Sequence, residues 1–279
     1  MESEPTMGDV PEPATPEGKA GLTALLRDPG SGLVALDYDG TLAPIVADPL
    51  TATAHPGAPA ALRRLSARLG TLAVITGRPA ALAVDLGGLS DVPGIVVLGH
   101  YGSERWESGV LTAPAPPAGL AMARAELPHV LAGAGAPPGT WVEDKGRAIA
   151  VHTRRTPDPD GALALVREPL AGLAERAGLV VEPGRMVIEL RPPGMDKGAA
   201  LANLVAERLS RAVVFCGDDL GDLAAFAAVR AFRSAGIAGV TVCSGSAEVT
   251  ALAEAADLVV DGPDGVVALL GSIATALGG

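Results

Sequence analysis

Two carboxylates two residues apart, Asp37 and Asp39, follow a short apolar run at residues 33–36 in the stretch LVALDYDGTL. Leu33, Val34, Ala35 and Leu36 have the length and composition of a buried parallel strand. The acids therefore fall at a strand's carboxyl end, where open α/β sheets bind ligands. Positions i and i+2 of a strand share a face, so both could point into one crevice. Carboxylates that close repel unless a proton or a cation intervenes. An oxygen-only cluster suits Mg²⁺. Taken alone, the same residues also read as an Asp-rich turn with Gly40 supplying the bend.

Three more turns carry complementary groups. Thr76-Gly77-Arg78-Pro79 follows a strand expected at 71–75, and Lys197 opens a helix expected to run to about 209. Asp218, Asp219 and Asp222 follow a strand expected at 212–216. Converged, these turns would supply acids for a metal plus a hydroxyl and an ammonium for an anion. That inventory fits phosphoryl transfer, in which positioning and charge neutralisation provide most of the catalysis. Asp37 would attack phosphorus, and Asp39 would protonate the departing oxygen and later take a proton from water. Asp218 would join Asp37 on Mg²⁺. Asp219 reads equally well as a helix cap.

The elements that must hold these turns follow a β-α-β rhythm. Strands are expected at 33–36, 71–75 and 95–98, with helices at 59–69 and 80–86 and a loop over 43–59. This pattern implies an α/β fold with a doubly wound parallel sheet. A first helix is expected at 21–29, after an acidic, Pro-rich tail at residues 1–20 that should be disordered. Residues 111–117 read as a linker. An α-β-β-α-β-β segment follows, with helices at 119–131 and 160–177, the first liable to end early at Pro128. Its strands fall at 140–143, 148–153, 179–182 and 186–190, with turns at Asp144-Lys145-Gly146 and Pro183-Gly184. A Pro/Gly hinge at 191–194 closes it. The expected organisation is a core at 21–111 and 194–279 with a smaller α/β cap inserted at 112–193. Cap movement about the two hinges would admit substrate. Beyond the hinge, a helix at 223–229, a strand at 238–242 and a mixed tail at 246–277 complete the core.

The totals exclude several classes. The 279 residues are 48% hydrophobic but only 3% aromatic, so the core must be built from Ala, Val and Leu. A net charge of −11 argues against a nucleic-acid surface. No apolar run approaches the ~20 residues needed to span a bilayer, and the acidic start is unlike a signal peptide. Cys216 and Cys243 are the only cysteines, too few for a disulfide framework or a zinc site. The expected setting is the cytoplasm.

In this order, DYDGT, the Thr76 turn, Lys197 and GDDLGD resemble the four motifs of the haloacid dehalogenase superfamily. Within it, the chain is similar to the trehalose-6-phosphate phosphatase family over nearly its whole length after residue 20. The matching pieces are LDYDGTLAPIVADP, VITGRP, GHYGSE, VEDKG with AVHTR, and MVIELRPPGMDKG. The resemblance implies Asp37 as nucleophile, Asp39 as general acid/base, and Thr76, Gly77 and Lys197 as phosphate ligands. It also implies that Asp37, Asp218 and the main-chain carbonyl of Asp39 hold Mg²⁺, with Asp219 and Asp222 around them. Its implied reaction is hydrolysis of trehalose 6-phosphate. Sugar contacts are expected from Glu143, Lys145 and Glu189 in the cap, with Arg78 and Glu104 from the core. His152, Arg154, Arg185 and Arg191 complete the charged cap residues that could meet a sugar.

The fourth motif departs from the family's usual GDDxTDE, because Gly221 and Leu223 stand where Thr and Glu are common. That leaves the metal acids in place but puts their supporting hydrogen bonds in question. Two other readings remain open. One is a related phosphatase for another sugar phosphate. The other is a non-catalytic module binding a sugar phosphate or docking on a trehalose-phosphate synthase, with which an active enzyme could also associate. A monomer is expected.

Overall fold

A computed structural model describes residues 10–46, 48–115, 118–245 and 250–278. The chain enters through α1 (Pro16–Arg27), β1 (Gly32–Leu36), α2 (Ala58–Ser66), β2 (Thr71–Ile75), α3 (Ala80–Gly87), β3 (Val96–Gly99), β4 (Glu104–Glu107) and β5 (Val110–Thr112). It continues through α4 (Ala118–Gly133), β6 (Trp141–Asp144), β7 (Ile149–His152), α5 (Pro159–Ala177), β8 (Val180–Gly184) and β9 (Val187–Arg191). It ends with α6 (Lys197–Arg208), β10 (Ala212–Gly217), α7 (Leu223–Ser234), β11 (Ala238–Gly245), α8 (Thr250–Ala255), β12 (Leu258–Asp261) and α9 (Gly262–Ala276). Two compact units result: one reaches Ala113 and resumes at Asp196, and the other spans Pro114–Met195.

The larger unit is organised on one sheet of order β12-β11-β10-β1-β2-β3-β4-β5. Pairing is parallel from β12 to β3 and antiparallel from β3 to β5. Both faces are covered, so β1, β2 and β10 are buried at every position. Val34, Leu36, Val74 and Val214 pack with Leu25, Leu62 and Leu270 of α1, α2 and α9. Leu33, Ala35, Ile75 and Phe215 point the other way, onto Leu201 of α6 and Phe226 of α7. From β1 the chain builds outward to β2 and β3, whereas from β10 it builds the opposite way. The strand order thus reverses between β1 and β10, which is the switch point where such sheets bind ligands.

The smaller unit is a four-stranded antiparallel sheet of order β6-β7-β9-β8. Ile149, Val151, Ile188 and Leu190 face a core shared with α4 and α5. Their alternate neighbours on the opposite sheet face include Glu143, His152 and Glu189.

Several expectations change. Residues 10–20 do not form a loose tail: Val10 is buried, and α1 begins at Pro16 behind the Thr15 cap, which accepts from the Gly18 amide at 3.0 Å. The first nine residues lie outside those described. Residues 111 and 112 are strand instead of linker, because Ser108 and Gly109, both at positive φ, close a two-residue hairpin between β4 and β5. Residues 116 and 117 of that expected linker are not described. The β8–β9 turn falls at Arg185-Met186, and Pro183 pairs with Ile188 inside an edge strand, a place where its missing N–H is tolerated. α4 runs on through Pro128 because Leu120, Ala123 and Leu127 anchor it in the core shared with α5. α7 extends to Ser234, five residues beyond the expected end, as Phe232 packs against the core.

Candidate active site

The switch point brings together the ends of β1 and β10. The Asp37 amide donates to the Cys216 carbonyl at 2.8 Å, extending the β1–β10 ladder to the first acid. Asp37 is 4% exposed and Asp218 6% exposed. Lys197, the first residue of α6, reaches into this pocket from a helix capped by Asp196, whose carboxylate accepts from the Ala199 amide at 2.8 Å. Its Nζ lies 2.8 Å from Asp37 Oδ1 and 2.7 Å from Asp222 Oδ1. The other Asp222 oxygen accepts the Asp218 amide at 2.9 Å and the Asp219 amide at 3.2 Å. Asp222 therefore locks the turn after β10 to the lysine. Asp219 is a cap, accepting from the Gly221 amide at 2.9 Å.

Oxygens of Asp37, Asp218 and Asp222 all lie within 4.8 Å of one another. Burial drives the Asp37 carboxyl well above its ordinary value, against Lys197 and with the push of Asp222 and Asp218. Burial, then Asp222 and Asp219, raise Asp218 to about 7. Asp222 is also raised, by burial first, though Lys197 opposes it. Burial disfavours charge on Lys197, yet Asp222 and Asp37 outweigh it and hold the ammonium well above its usual range. Asp37 and Asp218 come within hydrogen-bonding reach of each other. Two buried carboxyls in that relation need a proton or a cation between them. With both Asp222 oxygens already engaged, Asp37 and Asp218 are the side chains that fit a hard divalent ion.

Gly40 makes this approach feasible. Its φ is +72°, and a Cβ there would sit 1.9 Å from Asp218 Oδ2. Its carbonyl accepts from Ser244 Oγ at 2.6 Å, which ties the Asp37 turn to β11. The bend at Gly40 is legible in the sequence, whereas Ser244 carries no signal there.

Asp39 parts from Asp37. Its carboxylate takes a two-pronged contact from Arg78, with Nε 2.7 Å from Oδ2 and Nη2 2.6 Å from Oδ1. Arg78, expected at the sugar, is thus engaged on the expected proton carrier. Burial disfavours the guanidinium's charge, but Asp39 outweighs that and raises its pKa. Thr76 is buried at the end of β2, and its Oγ1 accepts the Arg78 amide at 3.1 Å. Gly77 leaves space for Tyr101, whose hydroxyl would lie 2.7 Å from an added Cβ. Glu104, another expected sugar contact, accepts the Ala80 amide at 2.9 Å and so caps α3. His100 Nε2 is 3.7 Å from Glu104 Oε1.

In the smaller unit, Lys145 Nζ contacts Glu189 Oε2 at 2.6 Å, and Glu189 is 6% exposed. His152 Nε2 lies 2.9 Å from Glu143 Oε2 and stacks on Trp141 with ring centroids 3.9 Å apart. Arg191, 8% exposed, donates to Glu182 at 2.6 Å. Arg154 and Arg185 are exposed, one beyond the end of β7 and the other in the β8–β9 turn. The sheet face therefore gathers Glu143, Lys145, His152, Glu189 and Arg191, whereas Arg154 and Arg185 lie beyond its strands. Trp141, which a reading by motif misses because a lone Trp carries none, sits beside His152 on that face.

Residues 35–259 match the family described as trehalose-phosphatase. A probable trehalose-phosphate phosphatase of Sinorhizobium fredii is 34% identical over 218 residues, covering 76% of this chain and 79% of that protein. An uncharacterized glycosyl hydrolase of Mycobacterium tuberculosis is 40% identical over 222 residues, 73% of this chain but 16% of the relative. The chain spans about half the length of the mycobacterial trehalose-phosphate phosphatases that it matches. The C-terminal domain of Candida albicans trehalose-6-phosphate phosphatase superposes with a TM-score of 0.75 at 23% identity, covering 96% of this chain and 99% of that one. That likeness is one of fold. With the family match extending across both units, this chain belongs to the trehalose-phosphatase family.

Proposed function

We propose that the chain hydrolyses trehalose 6-phosphate to trehalose and phosphate through an aspartyl-phosphate on Asp37, with Mg²⁺ as cofactor. The observation that carries this reading is Lys197, buried 2.8 Å from Asp37 and 2.7 Å from Asp222 beside Asp218. An isolated structural ion pair has no use for three buried acids against one ammonium. A phosphoryl site needs that excess of acid to take a cation.

Asp37 and Asp218, with the Asp39 carbonyl, would hold Mg²⁺, which would neutralise phosphate charge and raise the electrophilicity of phosphorus. Asp37 attacks phosphorus while Asp39 gives its proton to the sugar oxygen. Asp39 then takes a proton from the water that displaces phosphate from Asp37. Thr76, the Gly77 amide and Lys197 bind the phosphate oxygens. Lys197 opposes the upward push of burial on Asp37 and so favours the ionised form that attacks, since a protonated carboxyl is no nucleophile. Asp222 positions Lys197 and the Asp218 amide. Glu143, Lys145 and Glu189 contact the sugar, with His152 and Arg191 on the same sheet face.

We place the reaction in the cytoplasm, on a small-molecule substrate, with the chain as a monomer able to associate with a trehalose-phosphate synthase. No described helix is long and apolar enough to cross a membrane. The test is phosphate release with Mg²⁺ from trehalose 6-phosphate, sucrose 6-phosphate, glucose 6-phosphate and glucosyl-phosphoglycerate, with Asp37→Asn as blank. Preference for the first, lost in the variant, supports the reading. Preference for another ester keeps the chemistry and changes the substrate, and a folded but inert protein overturns both.

A further inference from the structure

Arg78 engages both oxygens of Asp39, and its own placement is fixed by four other contacts. Its Nη1 donates to the Pro49 carbonyl at 2.6 Å, and its guanidinium carbon lies 5.3 Å from the centroid of the Tyr38 ring. Tyr38 is fully buried, with its hydroxyl donating to the Ala52 carbonyl at 2.9 Å. The Arg78 backbone is held as well: its amide donates to Thr76 Oγ1 at 3.1 Å, and its carbonyl accepts the His100 amide at 2.9 Å. The Arg78 side chain is 9% exposed, but that of Asp39 is 42% exposed. An anchored, buried guanidinium thus presents a carboxylate that remains open on one side.

We propose that Arg78 is a positioning residue for Asp39, aiming the carboxyl group that gives and takes the proton in the two halves of the reaction, and that it is not a sugar ligand. This inference rests on the phosphatase reading above. In the first half, an Asp37 oxygen bonds to phosphorus as the ester P–O bond breaks, and the Asp39 proton goes to the departing sugar oxygen. Asp39 is left as a carboxylate, the form that a planar guanidinium binds with two parallel hydrogen bonds. In the second half, water oxygen bonds to phosphorus, its proton goes to Asp39, and the Asp37–phosphorus link breaks to free phosphate. The fork keeps that carboxyl group in the orientation that both transfers require. Proton delivery by a placed acid contributes typically 10²–10⁴-fold, so losing the aim should cost a sizeable part of that.

The leaving group separates this role from a structural one. A sugar alcohol must be protonated as it departs, whereas a nitrophenolate leaves without a proton. We would measure kcat and KM for trehalose 6-phosphate and p-nitrophenyl phosphate at saturating Mg²⁺, using Arg78→Gln, Arg78→Lys, Asp39→Asn and the Asp39→Asn/Arg78→Gln double variant. The expected result is a loss of about 10²-fold in kcat/KM for Arg78→Gln on the sugar ester, carried by kcat and exceeding its kcat/KM loss on the aryl ester by about tenfold or more, because kcat/KM stops at departure of the alcohol whereas the water half is common to both esters. Arg78→Lys should recover part of it. In the Asp39→Asn background, Arg78→Gln should add less than about threefold. Equal kcat/KM losses on both esters, additivity with Asp39→Asn, or a raised KM for the sugar ester at unchanged kcat would overturn the inference while leaving the phosphatase reading intact. A folded wild-type protein inert toward both esters would overturn that reading and this inference together. If Arg78→Gln fails to fold, Arg78→Lys, which keeps the charge but not the fork, decides by the same leaving-group ratio.

Discussion

Asp222 accepts the Asp218 amide at 2.9 Å through the oxygen that does not face Lys197. One carboxylate thereby sets the backbone of Asp218, the proposed metal ligand, and the position of the lysine. Replacing Asp222 with Asn keeps its size but removes the charge that holds Lys197. We expect Asp222→Asn to lower phosphate release about 10–100-fold and to raise the Mg²⁺ concentration giving half-maximal rate. Rate against Mg²⁺ concentration is the measurement. An unchanged Mg²⁺ dependence would show that Asp222 does not support the cation site.

Gly40→Ala should be among the most damaging small substitutions. The residue is at φ +72°, and the new methyl would overlap Asp218 Oδ2. Strain at such a conformation costs about 1–3 kcal/mol, and the displaced Asp218 should take most activity with it. Thermal melting and phosphate release together check this, and a variant with wild-type turnover would contradict the close approach.

Mg²⁺ should stabilise the fold as well as activate it. Binding at about 100 times Kd adds about 2.7 kcal/mol, so the melting temperature should rise with Mg²⁺ and fall on chelation. Asp218→Asn should blunt the shift. Equal shifts in the variant and the wild type would place the ion elsewhere.

Asp257 gives a pH prediction outside the acid cluster. It is 3% exposed and accepts from Thr15 Oγ1, Arg233, and the amide and hydroxyl of Thr241, the last two at 2.7 and 2.9 Å. Burial alone would raise its pKa, but these hydrogen bonds hold it below the ordinary 3.8. The unfolded chain thus binds the proton more readily. Its contribution is fully present above pH 3.8 and is lost as pH falls through the lower folded value. Asp257→Asn should destabilise by about 2 kcal/mol near neutrality, with the difference shrinking below pH 3.8. Denaturant titrations near neutrality and well below that pH test this, and a pH-independent difference would refute it.

What the chain alone determined is the set of strand ends and their chemistry. Apolar runs of four or five residues stop at Asp37, Thr76 and Asp218 because a strand covered on both faces can carry polar groups only where it leaves the core. That signal is local and survives in one dimension. The partners of each group are not local. Asp37 and Asp39 share a motif, yet one is bound to Lys197 and the other to Arg78, 160 and 39 residues away in sequence. Glu104 has the charge of a sugar ligand, but the fold puts the α3 amide against it. Arg154 and Arg185 are as charged as Arg191, but only Arg191 is carried into a buried place by its strand register. Residue type and spacing name the chemistry available; which carboxylate meets which cation depends on sheet order and helix entry, set by burial over the whole chain.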